Sequence, residues 1–124
     1  QSMHDFLLSM PGTVWDYKAE WGWDRYRVGE KMFAALCRPG LEHAAEYAGH
    51  PLLTLKCEPL EAELLRGQYP DILPGFYMDK RNWISIRLDG AVPQELIQQL
   101  CVKSYRRVAQ TLSKKRQKEI AGSL

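Results

Sequence analysis

Apolar positions along this chain recur with two periods. Between residues 13 and 37 large side chains fall on every second position: Asp16 separates Trp15 from Tyr17, and Arg27 separates Tyr26 from Val28. Such alternation marks strands with one covered face. Trp21-Gly22-Trp23-Asp24 and Gly29-Glu30 interrupt it as turns, so three antiparallel strands joined by short reversals are predicted, the third over residues 31–37. Residues 51–57, with Leu52, Leu53 and Leu55, and residues 83–88 give two further strands, and Asp89-Gly90 ends the last. Arg38-Pro39-Gly40 breaks the first sheet segment. Residues 41–50 read as a connection with one helical turn, and residues 68–80, punctuated by Pro70, Pro74 and Gly75, as a loop.

Helical spacing fills the remainder. Residues 4–10 form a short helix ended by Pro11-Gly12. Glu58 and Pro59 suit the first turn of a second helix; Leu60, Leu64 and Leu65 form its expected buried stripe and Gly67 its expected left-handed cap. Pro93 opens the longest helix, where Leu96, Ile97, Leu100, Cys101, Ser104, Tyr105, Val108, Ala109 and Leu112 trace a continuous stripe. Ser113 is placed to cap a final helix over residues 114–121. The pattern predicts an α+β fold: an antiparallel sheet of about five strands with N-terminal, middle and C-terminal helices packed mainly on one face. A chain of 124 residues fits one domain, residues 3–124, with Gln1-Ser2 before Met3 read as an expression-tag remnant.

Composition is that of an ordinary globular protein, 45% hydrophobic and 26% charged. A net charge of +2 excludes a strong polyanion binder, but the charge is uneven. Residues 1–100 hold ten basic and fourteen acidic side chains, whereas residues 101–124 hold seven basic and one acidic. That asymmetry either directs an anionic partner to one face or reflects a solvated helix end. Cys37, Cys57 and Cys101 are too widely spaced for a disulfide framework or a zinc motif and read as small buried hydrophobes, which suits a reducing cytoplasm. No secretory leader and no apolar run of membrane-spanning length is present.

No Ser/His/Asp or Cys/His arrangement, no HExxH and no Gly-rich phosphate loop occurs, and His43 and His50 lack a ligand partner at metal spacing. Neither catalysis nor a cofactor or metal is expected. The basic positions of interest are Arg25, Arg27 and Lys31 near one hairpin end, then Lys80 and Arg81 in a loop that also carries Phe76, Tyr77 and Trp83. Cations in such places neutralise phosphates and aromatics stack on unpaired bases; the same residues equally serve as a charged sheet edge and as core. Trp15, Tyr17, Trp21, Trp23 and Tyr26 exceed what a small core hides, which leaves a protein partner as the alternative.

The order of a short helix, Pro11-Gly12, Trp15-Asp16-Tyr17-Lys18, Gly29-Glu30-Lys31-Met32-Phe33-Ala34, Leu55-Lys56-Cys57-Glu58-Pro59, then Pro74-Gly75-Phe76-Tyr77-Met78-Asp79-Lys80-Arg81-Asn82-Trp83, Leu88-Asp89-Gly90 and Ser104-Tyr105 resembles the bacterial MmcQ/YjbR family over roughly residues 3–118. The resemblance implies a CyaY-like fold and a DNA-binding module in which β-hairpins act as a double wing; separately, a monomer is expected over an oligomer. It puts the binding positions at Arg25, Arg27, Lys31, Lys80, Arg81 and Trp83 and implies no enzymatic activity. The sequence departs from the family pattern at Tyr77 and Asn82, where histidine is common, and at Asp79, where asparagine is; Asp79 sets an acid beside Lys80. The iron-binding acids of frataxin relatives have no counterpart, since the first helix offers only Asp5 and Asp16 is isolated.

Overall fold

The computed structural model describes residues 1–122. In chain order it runs α1 (Met3–Leu8), β1 (Thr13–Lys18), β2 (Trp23–Val28), β3 (Lys31–Cys37), β4 (Leu52–Lys56), α2 (Pro59–Gln68), β5 (Ile72–Pro74), β6 (Trp83–Arg87), α3 (Gln94–Ala109) and α4 (Lys114–Gly122). The strands make one sheet in the order β1-β2-β3-β4-β6-β5, and every neighbouring pair is antiparallel. The α+β architecture is therefore as expected, with six strands rather than about five. The additional strand is β5, three residues inside the stretch read as loop; Pro74 ends it, which an edge strand tolerates.

All four helices contribute to one core on one face of the sheet. Leu7 and Met10, Ala62 and Leu65, Ile97, Leu100, Cys101 and Val108, and Ile120 join Tyr26, Val28, Phe33, Leu53, Leu55, Ile72, Ile84 and Ile86 there. A strand turns alternate side chains to opposite faces, so Asp16, Arg25, Arg27, Met32, Thr54, Lys56, Trp83 and Ser85 lie on the side away from the helices. Half of that second face is roofed by residues 38–50 and 75–82, which pack Tyr47, Phe76 and Met78 on Trp23, Ala35 and Leu52. The other half, toward β1 and β2, carries no helix.

Three local expectations change. The buried stripe of α2 is Ala62 and Leu65, while Leu60 and Leu64 are 70% and 69% exposed. Consecutive leucines hid the register, because only one side of a ten-residue helix meets the sheet. Gly67 lies inside α2, and the helix ends one residue later at the extended Tyr69. Ser2 caps α1, its hydroxyl accepting from the Asp5 amide at 3.0 Å, so it participates in the fold. The β2–β3 reversal behaves as its sequence predicts: Gly29 (φ 55°) and Glu30 (φ 71°) both take positive φ, as a type I′ hairpin requires.

Asp71, before β5, closes the far edge. One oxygen accepts from Arg87 Nε and the other from the Ala91 amide, each at 2.9 Å. The Ala91 hydrogen bond, then Arg87, hold its carboxyl below the usual carboxylate range. A depressed folded value means that its contribution is present above the unfolded pKa near 4 and is lost as pH falls through the folded value. Melting temperature measured from pH 6 down to about pH 2 should therefore fall more steeply for the parent protein than for Asp71→Asn. Parallel curves would show that Asp71 contributes nothing to acid sensitivity.

Candidate nucleic-acid interface

The helix-free half of the sheet is where the cations of β2 meet. Pairing of β1 with β2 sets Asp16 directly opposite Arg25. Arg25 grips the carboxylate with two bonds, Nε to Oδ1 at 2.8 Å and Nη2 to Oδ2 at 2.7 Å, and Arg27 Nη2 reaches the same Oδ2 at 3.0 Å. Arg25 acting as hydrogen-bond donor, with both arginine charges nearby, holds the Asp16 carboxyl below the usual range; the reciprocal bond raises Arg25. One carboxylate thus organises two guanidinium groups and leaves an excess of positive charge. It does not satisfy all their donors, since Arg27 Nε is buried without a partner. Both arginine side chains remain partly exposed, 21% and 32%.

Lys56 continues the row across the sheet. Leu53 and Leu55 face the helical core, so the alternation turns Lys56 to the opposite face, where its Nζ stands 5.7 Å from the centroid of the Trp83 ring. The alternation of β4 carries this signal in the sequence, but Lys56 was not among the expected positions. At the β1 end Lys18 pairs with Glu20 at 3.0 Å and lies 5.2 Å from the Trp21 ring, with the Arg25 guanidinium 5.6 Å from the same ring.

The six sequence-derived positions divide. Arg25 and Arg27 lie together on the open face, as described. Lys31 does not join them: it starts β3, and its Nζ donates to Thr111 Oγ1 at 2.9 Å, beyond the end of α3 on the helical side. The hairpin brings Lys31 close in sequence, but strand alternation turns it the other way. Lys80 is folded back on its own loop, donating to the Gly75 carbonyl at 2.5 Å and standing 5.8 Å from the Tyr47 ring. Arg81 is exposed; among the described residues its guanidinium makes no hydrogen bond, and its charge acts on Asp79. Trp83 is 7% exposed and packed so closely beneath the loop that a Cβ on Gly75 would stand 2.6 Å from its own Cβ. Trp83 is therefore floor, not a stacking surface.

Asp79 acts inside the loop. It accepts from the Asn82 side chain and from the Arg81 amide at 2.5 and 2.9 Å, and these bonds lower its pKa, Asn82 first. The departures Asp79 and Asn82 thus satisfy one another as a turn. The two histidines without a metal-ligand partner have other contacts: His50 bonds Asp89 at 2.9 Å, and His43 packs edge-on against Phe76 and Tyr77. Burial pushes the Cys37 and Cys57 thiols up to about 11 and Cys101 to about 12, which opposes thiolate chemistry near neutral pH. Among the described residues no group of three His, Cys, Asp or Glu side chains could hold a metal ion, and no helix is long and apolar enough to cross a membrane.

The basic side chains that follow residue 100 lie on the other side of the molecule, along α3 and α4. Lys103 there is paired with Glu61 at 2.6 Å and Arg116 with Glu119 at 3.4 Å. Their positive charge is thus partly compensated and separated from the open sheet face by the core.

Known proteins resemble the chain along most of its length. It is 27% identical over 113 residues to the uncharacterized protein YjbR of Escherichia coli K12, covering 91% of this chain and 89% of that one. Identity to YbdF of Escherichia coli O157:H7 is 29%, with 97% and 95% covered, and to YyaQ of Bacillus subtilis 33%, with 76% and 84% covered. The crystal structure of Deinococcus radiodurans protein DR2400, with a DUF419 domain, superposes with a TM-score of 0.79 at 26% identity, covering 96% of this chain and 85% of that one. A Pseudomonas syringae protein shares the fold at a TM-score of 0.72 and 22% identity, with 87% and 99% covered. With the YjbR family model matching residues 8–107, the chain belongs to the YjbR family.

Proposed function

We propose that this protein is a DNA-binding module that grips the phosphate backbone non-covalently with the helix-free face of its sheet. The observation that carries the reading is the shared placement of Arg25 and Arg27, two guanidinium groups organised on one carboxylate on a surface no helix covers. Lys56 on the same face extends the row, and Arg81, exposed on the roofing loop, adds a further cation. Rigid guanidinium groups match phosphate oxygens, and neutralising phosphates releases counterions. The modest overall charge makes the affinity weak, and because it rests on phosphate neutralisation it falls as salt is added. The protein works in this reading as a monomer, with no cofactor and no covalent step.

Fluorescence anisotropy with a labelled duplex, at low and at moderate salt, is the direct test. Saturable binding at low salt that weakens with added salt is expected. Absence of binding even at low salt overturns the reading. A second reading, a protein-binding module, draws on one specific observation: β1 is an edge strand whose Val14, Trp15 and Tyr17 are 57%, 44% and 56% exposed. An unpaired edge with apolar side chains is suited to receive a partner strand.

A further inference from the structure

A cleft of about 570 Å³ opens on the same sheet face beside Arg25, between the β1–β2 turn and the segments that roof β3 and β4. Its walls are aromatic. Trp21 and Trp23 meet edge-to-face, centroids 5.4 Å apart and planes at 70°. Across from them Phe76 meets Tyr77 at 4.7 Å and 77°, and His43 meets Phe76 at 5.1 Å and 85°. Rings at such angles do not form a parallel slot for a flat ligand. They form walls that present several π-faces and edges around a compact guest.

Two of the rings stand out from the buried Trp23 and Phe76 that they pack on. Trp21 is 55% exposed and Tyr77 is 71% exposed, although each packs on another ring. Tyr77 is also held at φ 55°, a left-handed conformation that costs a non-glycine residue free energy and that concentrates at functional sites. The polar groups on the rim are chiefly acidic. Glu42 folds its carboxylate over Gly40, close enough that a Cβ there would stand 2.3 Å from it, and Glu20 stands at the other lip. The cation that lines the cleft, Arg38, is turned to the Gly49 carbonyl at 2.7 Å. Glu20 is shared with Lys18, which leaves Glu42, opposed among the described residues by His43 at 3.4 Å, as the carboxylate open to a guest.

We propose that this cleft binds a small alkylated ammonium cation. A quaternary ammonium is compact, weakly hydrated and attracted to aromatic faces, and a nearby carboxylate adds charge complementarity. A nucleobase is disfavoured because no two rings face each other in parallel, and an anion is disfavoured by the two glutamates. The cleft adjoins the phosphate-binding face through Trp21, whose ring Lys18 and Arg25 approach at 5.2 and 5.6 Å, but the other rings and Glu42 that would hold the guest take no part in phosphate binding.

Choline and its neutral carbon isostere 3,3-dimethyl-1-butanol separate charge from shape. The chain's four tryptophans give four indole N–H signals, of which two line the cleft. Titrated with choline, the Trp21 and Trp23 indole signals should shift saturably while those of Trp15 and Trp83 stay in place. The neutral isostere should bind at least about fivefold more weakly, as loss of a cation–π contact predicts. Trp21→Ala and Glu42→Gln, both surface changes that leave the core intact, should each weaken choline about threefold to tenfold. Equal binding of choline and the isostere would make the cleft a merely apolar hollow and overturn the proposal. Absence of any saturable shift at Trp21 and Trp23 would overturn it as well.

Discussion

Ser104→Ala is expected to destabilise the protein by about 2–4 kcal/mol, far more than removing one oxygen from a helix normally does. Ser104 sits in the middle of α3 and is fully buried. Its hydroxyl donates to the Phe33 carbonyl of β3 at 2.6 Å and accepts from the Lys56 amide of β4 at 2.9 Å. It therefore inserts between two neighbouring strands just beyond their last paired residues, Ala34 and Leu55. Alanine keeps the helix and the packing but strips both backbone groups of their partner where water cannot easily replace it. Urea unfolding monitored by circular dichroism measures the loss. Tyr105→Phe, which removes a half-buried hydroxyl bonded to the Pro11 carbonyl, supplies a comparison at about 1 kcal/mol. A Ser104→Ala loss below about 0.5 kcal/mol would show that the strands close over the gap unaided.

The second large effect concerns binding. Arg25→Ala combined with Arg27→Ala should lower duplex affinity by about tenfold to a hundredfold at low salt and flatten the slope of log affinity against log salt by about two. Asp16→Asn should act in the opposite direction. The carboxylate that holds both guanidinium groups also competes with phosphate for them, and asparagine keeps the shape while removing the charge. Affinity should rise severalfold and the salt slope steepen. If Asp16→Asn weakens binding as much as the double arginine variant, the carboxylate is a scaffold whose positioning outweighs its charge. If neither variant changes affinity, the sheet face is not where DNA binds.

Much of the fold is legible because period two and period 3.6 separate cleanly here. The strands read from the Trp15/Tyr17 and Tyr26/Val28 alternations, the Gly29-Glu30 reversal and the α3 stripe reappear in the structure, although Trp15 and Tyr17 on the edge strand are 44% and 56% exposed rather than covered. What misled was local ambiguity. Leu60, Leu64 and Leu65 fit two helical faces equally well, and Ala62, small and unremarkable in sequence, marks the buried one. β5 is too short and too rich in turn signals to register as a strand. Ser104 falls on the apolar stripe by spacing, but its bonds to two strands depend on how α3 crosses the sheet.

The candidate site was legible in type and only partly in place. Arg25 and Arg27 emerge together because one strand presents both on one face. Lys31 is lost to the helical side, and Lys80 to the Gly75 carbonyl, because sequence proximity does not report direction. Trp83 follows the ordinary preference of a large ring for burial. Lys56 was recoverable from the Leu53/Leu55 alternation. The aromatic cleft was not, since it joins residues 20–23 to 37–43 and 76–77 through packing of the two roofing segments.

The measurement that bears most directly on the central claim is amide chemical-shift mapping with a short duplex at low salt. Shifts concentrated at Arg25, Arg27, Lys56 and Arg81, with the amides of α3 and α4 unmoved, are the predicted result. Shifts confined to α3 and α4 around Lys103 to Lys118 would contradict it and assign nucleic-acid contact to the opposite side of the molecule.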